Sequence, residues 1–384
     1  MAAVARSSDD TRPLYVQNGT PSSKARHDRH KGRRTLNDFL CASFEGIVDL
    51  LVRDGFINQL EGTLCPRCGV GRLSRLKHTG AQSGSVGHLR YECKRASCRA
   101  RILPTSNHRI FNVGSGAQYV TLQKQAAVLF CLISGSTQTL TAKLLGVDHK
   151  TVERISVALD EARMEYVVSQ EARIQFGGGD QWADVEADEV DLAKGTVDKE
   201  VDQDRKVRWE QWCGVVQRGV RQTLLLFRLS PELTKERAPG PGPIRTIEWT
   251  PFAMKHLQNR RVVLHTDGAR AYKAHVPGML HDHVVHMKKR VIVDGRARWM
   301  KPFFTKRFDH VAPDGNRIAC IGGTQTIDRF WRTLRGSLIG RSCAVGSHAF
   351  VRRIRSCQWE YWFKGKDLWV KTGDMLQALS AMSS

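Results

Sequence analysis

Cys65-Pro-Arg-Cys68 is followed, after 24 residues, by Cys93-Lys-Arg-Ala-Ser-Cys98. Two short-spaced pairs supply four thiolates, the ligand set of a closed tetrahedral zinc site in which each pair occupies a tight turn. Gly69 follows the first pair at the place where such a knuckle needs a positive φ. Four sulfurs leave no open coordination position, so Zn²⁺ on Cys65, Cys68, Cys93 and Cys98 is expected to be structural. Arg67, Lys94, Arg95, Arg99 and Arg101 surround the knuckles and suit contact with phosphates.

Three acids form a second constellation. Asp188 lies in Val185-Glu-Ala-Asp-Glu-Val190, where strand alternation puts Glu186 and Asp188 on one face. Asp267 ends the apolar run Val262-Val-Leu-His-Thr266, and Asp328 opens a helix with Ile327, Trp331, Leu334 and Leu338 as its apolar stripe. A strand acid, a strand-end acid and a helix acid are what a ribonuclease-H-like core gathers at one sheet edge. Such a set holds two Mg²⁺ or Mn²⁺ ions, hard cations that take oxygen ligands and clamp the attacking and leaving oxygens of phosphoryl transfer. Taken singly, each acid also fits a turn cap or a helix N-terminal charge.

The elements that must position these residues follow from the patterning. Residues 1–35 are polar and end in the basic run Lys24 to Arg34. This fits a disordered arm that touches DNA, carries a nuclear address or is simply solvated. Residues 36–61 contain an N-terminal helix, with Phe39, Leu40, Phe44, Ile47, Val48 and Leu51 at helical spacing up to the Asp54-Gly55 stop. The ribbon occupies 62–104. Three helical patterns fill 119–168. In them Thr137 to Leu145, the turn Gly146-Val-Asp148 and a helix from His149 to about Met164 read as a helix-turn-helix or as a plain helical hairpin. Asp148 is the N-cap, and His149, Lys150, Glu153 and Arg154 face outward for a DNA groove.

After the Gly-rich joint 176–180, Val185 to Leu192, Gln211 to Val216, Thr223 to Leu229 and Arg261 to Thr266 read as strands. Residues 325–340 read as a helix with Arg332 and Arg335 sharing Asp328's polar face, and 370–384 as a tail. The fold class is α/β, a mixed sheet flanked by helices over 180–369. Sixty Lys and Arg against 38 Asp and Glu leave a net charge of +22, a field that attracts polyanions. No stretch reaches the ~20 apolar residues of a membrane span, and the N-terminus lacks a secretory signal. A reducing compartment is therefore expected, with most of the remaining cysteines as buried thiols.

These pieces, in this order, resemble the Merlin-type DNA transposases and their bacterial insertion-sequence relatives. The resemblance runs from about Leu36 to about Trp362. It rests on the four cysteines, Leu145-Gly-Val147 with Thr151-Val152, Ala187-Asp-Glu-Val190, Thr266-Asp-Gly268 with Tyr272, His286, and Gly323-Thr-Gln-Thr-Ile-Asp-Arg-Phe-Trp331 with Leu334. It implies a ribonuclease-H-like core with Asp188, Asp267 and Asp328 as metal ligands and His286 beside them. It also implies an oligomer that pairs two transposon ends on double-stranded DNA. Asp328 stands where the family has Glu, one methylene longer. Residues 288–320 form a basic insertion with Lys288, Lys289, Arg290, Arg296, Arg298, Lys301, Lys306 and Arg307, either lying on DNA or solvated.

The activity implied is cleavage at transposon ends and 3′-hydroxyl strand transfer. The rivals are a catalytically impaired relative acting as a DNA-binding regulator, and a nuclease of the same fold without strand transfer. The location implied is the nucleus in a eukaryotic host and the nucleoid otherwise.

Overall fold

A computed structural model of the chain describes residues 15, 34–78, 89–112, 120–197, 206–286, 289–338 and 344–382. It is a mixed α/β protein, and no helix among the described residues is long and apolar enough to cross a membrane. The chain divides into two units, one of residues 1–20 and 168–362, the other of 21–167 and 363–384.

The first unit is built on β4 (Ala183–Thr196). β5 (Lys206–Gln217) pairs antiparallel with it, and β6 (Leu225–Arg228) and the short β7 (Thr234–Lys235) pair antiparallel with β5. On the other side β8 (Val262–Thr266) runs parallel to β4, and β9 (Met279–His283) parallel to β8. The sheet order is therefore β6-β5-β4-β8-β9. Every residue of β8 is buried, as a central parallel strand with both faces covered requires. α6 (Thr246–His256) packs Trp249 and Ala253 into an apolar core with Val185, Val215, Leu264 and Tyr272.

Two hairpins follow β9: β10 (Lys289–Val293) with β11 (Arg296–Met300), and β12 (Lys306–Val311) with β13 (Arg317–Gly322). α7 (Gln325–Leu338) buries Ile327, Phe330, Trp331 and Leu334, and α8 (His348–Trp362) buries Trp359 and Trp362. Gly214 of β5 makes the fit with α7 possible, since a Cβ there would lie 2.7 Å from the Trp331 ring and 2.8 Å from Ile327.

In the second unit the expected single N-terminal helix is two, α1 (Leu36–Leu40) and α2 (Phe44–Arg53). Ser43 interrupts the pattern by acting as the N-cap of α2, its hydroxyl accepting from Gly46 N at 3.0 Å. The ribbon strands are β1 (Lys77–His78), β2 (Leu89–Glu92) and β3 (Arg101–Ile102). α3 (Leu122–Ile133), α4 (Gln138–Leu145) and α5 (His149–Glu171) are the three expected helices. α5 extends a turn or two beyond the expected end.

Residues 370–382 are not a tail. They belong to α9 (Leu368–Met382), which returns to the N-terminal helices, and 383–384 lie outside the described residues. Trp369 stacks on Phe56 at 4.0 Å and donates from its indole N–H to Asp54 at 2.8 Å. Gly373 has the Asp54 carbonyl only 2.0 Å from where a Cβ would stand, so this close approach requires glycine. The basic arm lies outside the described residues except Tyr15, Arg34 and Thr35. Arg34 pairs with Asp54 at 2.7 Å, and the Tyr15 ring lies 4.5 Å from the Arg218 guanidinium.

Candidate active site and metal centre

The parallel register aligns Glu186 with His265. Two residues further along each strand direction stand Asp188, within β4, and Asp267, just past the end of β8, so the two acids arrive side by side. Oxygens of Asp188, Glu189 and Asp267 all lie within 4.8 Å of one another. Burial pushes the Asp188 carboxyl well above the usual carboxylate range, and the negative fields of Glu189, Asp328 and Asp267 push the same way. Burial and the Asp267 charge also raise Glu189, against the 2.6 Å hydrogen bond donated by the Tyr272 hydroxyl. Carboxylates that resist ionising together are the donor set that a hard divalent cation relieves.

Asp328 is not a member of that close trio, although it lies near enough to act on Asp188. Its carboxylate accepts from the Thr324 hydroxyl at 3.1 Å. Burial raises its pKa, while the Thr324 bond and His286 draw it down. His286 lies near enough to act on Asp328, and its Nε2 is buried without a hydrogen-bond partner. A buried imidazole nitrogen without a partner fits a site completed by a ligand.

Glu186 fixes the helix that carries Asp328. It shares a face with Asp188, as alternation requires, but its role is anchorage: it is fully buried on Arg218 at 2.7 Å. Its second oxygen accepts from Thr326 N at 2.6 Å and Ile327 N at 3.0 Å, at the N-terminus of α7. Arg218 also donates to the carbonyls of Ile321 at 2.6 Å and Gly323 at 2.7 Å, gripping the turn into that helix. One turn on, the Trp331 indole N–H donates to Asp188 at 3.1 Å. Arg332 and Arg335 are exposed on α7.

Sequence reasoning missed Glu189 as a third carboxylate of the cluster and Glu186 as the anchor. Alternation assigns Glu189 to the opposite face from Asp188. Its bonds to Tyr272 and to Ile244 N at 3.3 Å do lie there, yet one oxygen still reaches the acids at the strand end. The Asp-Glu adjacency was the available signal.

The four ribbon cysteines converge as their spacing predicts. Cys65 and Cys98 sulfurs are 3.9 Å apart, and Cys68 and Cys93 are 3.8 Å apart. The separations are compatible with a tetrahedral ion. Gly69 has φ +66°, as the knuckle requires, and Gly71 N donates to Cys68 Sγ at 3.4 Å. Amide N–H groups of Val70 and Gly71 draw the Cys68 thiol down to about 6. Gly71 has no room for a side chain, because a Cβ would lie 2.3 Å from Cys93 Sγ.

In the helical pair Gly146 takes the left-handed C-cap (φ +57°) and Asp148 accepts from Lys150 N at 2.9 Å, as expected. His149 and Lys150 are exposed. Arg154 is not. Its guanidinium turns inward to the Ile110 carbonyl at 2.7 Å and Gln125 Oε1 at 3.2 Å, so it braces the helix instead of facing a groove. Leu140 and Leu144 are 47% and 62% exposed and do not join Leu145 in the core.

The basic insertion is two β-hairpins. Arg290, Arg296, Arg298, Lys301, Lys306 and Arg307 are exposed, beside exposed Ile292, Trp299, Phe303 and Phe304. Lys288 lies outside the described residues.

No protein family, curated protein or solved structure matches this chain.

Proposed function

We propose that the protein is a DNA transposase of the Merlin-like kind, with a ribonuclease-H-like core that cuts and joins strands at transposon ends. The observation carrying this reading is the alignment of Asp188 and Asp267 across a parallel strand pair, with Asp328 brought to the same edge by an anchored helix. The strand order, three antiparallel strands continued by two parallel ones, supports the core. The +22 charge, the exposed His149 and Lys150, and exposed Arg332 and Arg335 support double-stranded DNA as the partner.

Asp188, Asp267 and Asp328 would hold two Mg²⁺ or Mn²⁺ ions, with Glu189 in reach. Bound there, such ions activate a water or 3′-hydroxyl nucleophile and stabilise the leaving oxygen. The chain's own residues set the geometry. Trp331 orients Asp188, the Asp267 side chain accepts from Ala269 N at 2.9 Å, and Thr324 holds Asp328. The ribbon would take structural Zn²⁺ and, with α4 and α5, read the terminal repeats in a homo-oligomer.

One observation favours a second reading, an impaired enzyme kept for DNA binding: the short Asp328 lies outside the close trio. Cleavage and strand-transfer assays on end-containing DNA with Mg²⁺ or Mn²⁺ separate them. The transposase nicks and joins, and Asp188→Ala abolishes both. A rise in activity on Asp328→Glu marks an assembled site detuned by a short side chain. Binding without nicking in the wild type and in Asp328→Glu leaves only the regulator.

A further inference from the structure

On the same unit, outside the carboxylate trio just described, five side chains of metal-ligating type meet in the interior. Asp184 comes from β4, His265 from β8, Asp282 from β9, His310 from β12 and Cys320 from β13. All are buried except His310, which is partly buried. His265 Nδ1 lies 2.8 Å from Asp282 Oδ1 and its Nε2 3.0 Å from Asp184 Oδ1. Asp282 Oδ2 is 3.0 Å from His310 Nε2 and 3.4 Å from Cys320 Sγ. Donor atoms of Asp282, His310 and Cys320 lie within 4.8 Å of one another, as do those of Asp184, His265 and Cys320.

We propose that this cluster is a second transition-metal site, binding Zn²⁺ through Cys320, His310 and Asp282. Thiolate, imidazole and carboxylate together are a borderline-soft set that suits zinc and not magnesium. Asp184 lies on the other ring nitrogen of His265, within 4.8 Å of Cys320 but outside the group of Cys320, His310 and Asp282, and is not counted as a ligand. His265 sits between the two carboxylates and steadies Asp282 through Oδ1, leaving Oδ2 for the ion, the usual support for a metal-bound carboxylate.

Two features favour an ion over a hydrogen-bonded knot. A thiol is a weak donor, so Cys320 contributes little to Asp282 unless it is a ligand. The backbone keeps the space open, because a Cβ at Gly322 would lie 2.3 Å from Asp282 Oδ1.

The ion would tie the β12–β13 hairpin to the main sheet at β9. β13 leads directly into the helix bearing Asp328, so the site would hold the strand from which the third acid's helix starts. It does not depend on the transposase reading.

The test is zinc content and zinc-edge X-ray absorption on the purified full chain. The expected result is about two zinc ions per chain, with a mean sulfur number between about two and three, because a four-sulfur and a one-sulfur site are averaged. Cys320→Ser and His310→Ala each lower the content to about one and raise the mean sulfur number towards about four. About one zinc per wild-type chain, with about four sulfurs, overturns the site whether or not the variants fold.

Discussion

The ribbon and the acidic cluster both gather side chains that could hold a metal, and they are assembled in opposite ways. In the ribbon, ligands arrive in pairs three and five residues apart on knuckles whose own amides, Val70 and Gly71, prepare the sulfur. In the cluster each acid comes from a different element. Asp188 and Asp267 meet only through strand pairing, and Asp328 arrives on a helix bolted down by the buried Glu186–Arg218 pair. A local site needs its ion to fold, whereas a long-range site can be built by the fold and then hold its ion against carboxylate repulsion.

That contrast can be broken at the ribbon first. Cys65→Ser should cost much of the ~10–16 kcal/mol that structural zinc contributes to a small domain. The ribbon should lose its zinc and become protease-sensitive between about residues 62 and 104, while the acidic unit keeps its melting transition. Joint melting of both would remove the distinction.

Asp188→Asn is the opposite experiment. The amide can still accept from Trp331, so the fold is expected to stand, while strand cleavage falls at least about a thousandfold, about 4 kcal/mol. Removing one charge from a repelling cluster should leave the metal-free protein equally or more thermostable. A drop in its melting temperature would show that the acids stabilise the fold.

Glu186→Gln probes the anchor. Breaking a fully buried ion pair leaves the Arg218 charge uncompensated, and a loss of about 3–5 kcal/mol in denaturant unfolding is expected. A loss under about 1 kcal/mol would mean that the backbone contacts of Arg218 suffice.

The smallest effect is a pH dependence in the ribbon-bearing unit. Burial lowers the His108 pKa, and its Nδ1 accepts from Ile110 N at 3.0 Å and Phe111 N at 2.9 Å. The folded state therefore binds fewer protons than the unfolded chain. Its stability contribution, on the order of 1 kcal/mol, is intact above the ordinary histidine value of about 6.5 and is lost as pH falls below it. Proton NMR of the His108 ring checks this, and a ring titrating at or above that value contradicts it.

The sequence determined what short-range chemistry controls. Cysteine spacing and Gly69 specify the ribbon, Asp148 and Gly146 specify the turn between α4 and α5, and alternation puts Glu186 and Asp188 on one face. Periodicity located most strands and helices but ran through the Ser43 break, because an apolar stripe continues across a cap that reorients the chain. It missed α9 as well, whose partners lie more than 300 residues away at Asp54. Only the tertiary structure decided where Arg154 points, which carboxylates share a field, and that Asp184, His265, Asp282, His310 and Cys320 form one cluster. Strand register sets those distances, and register is fixed by packing across the whole sheet, which no local spacing encodes.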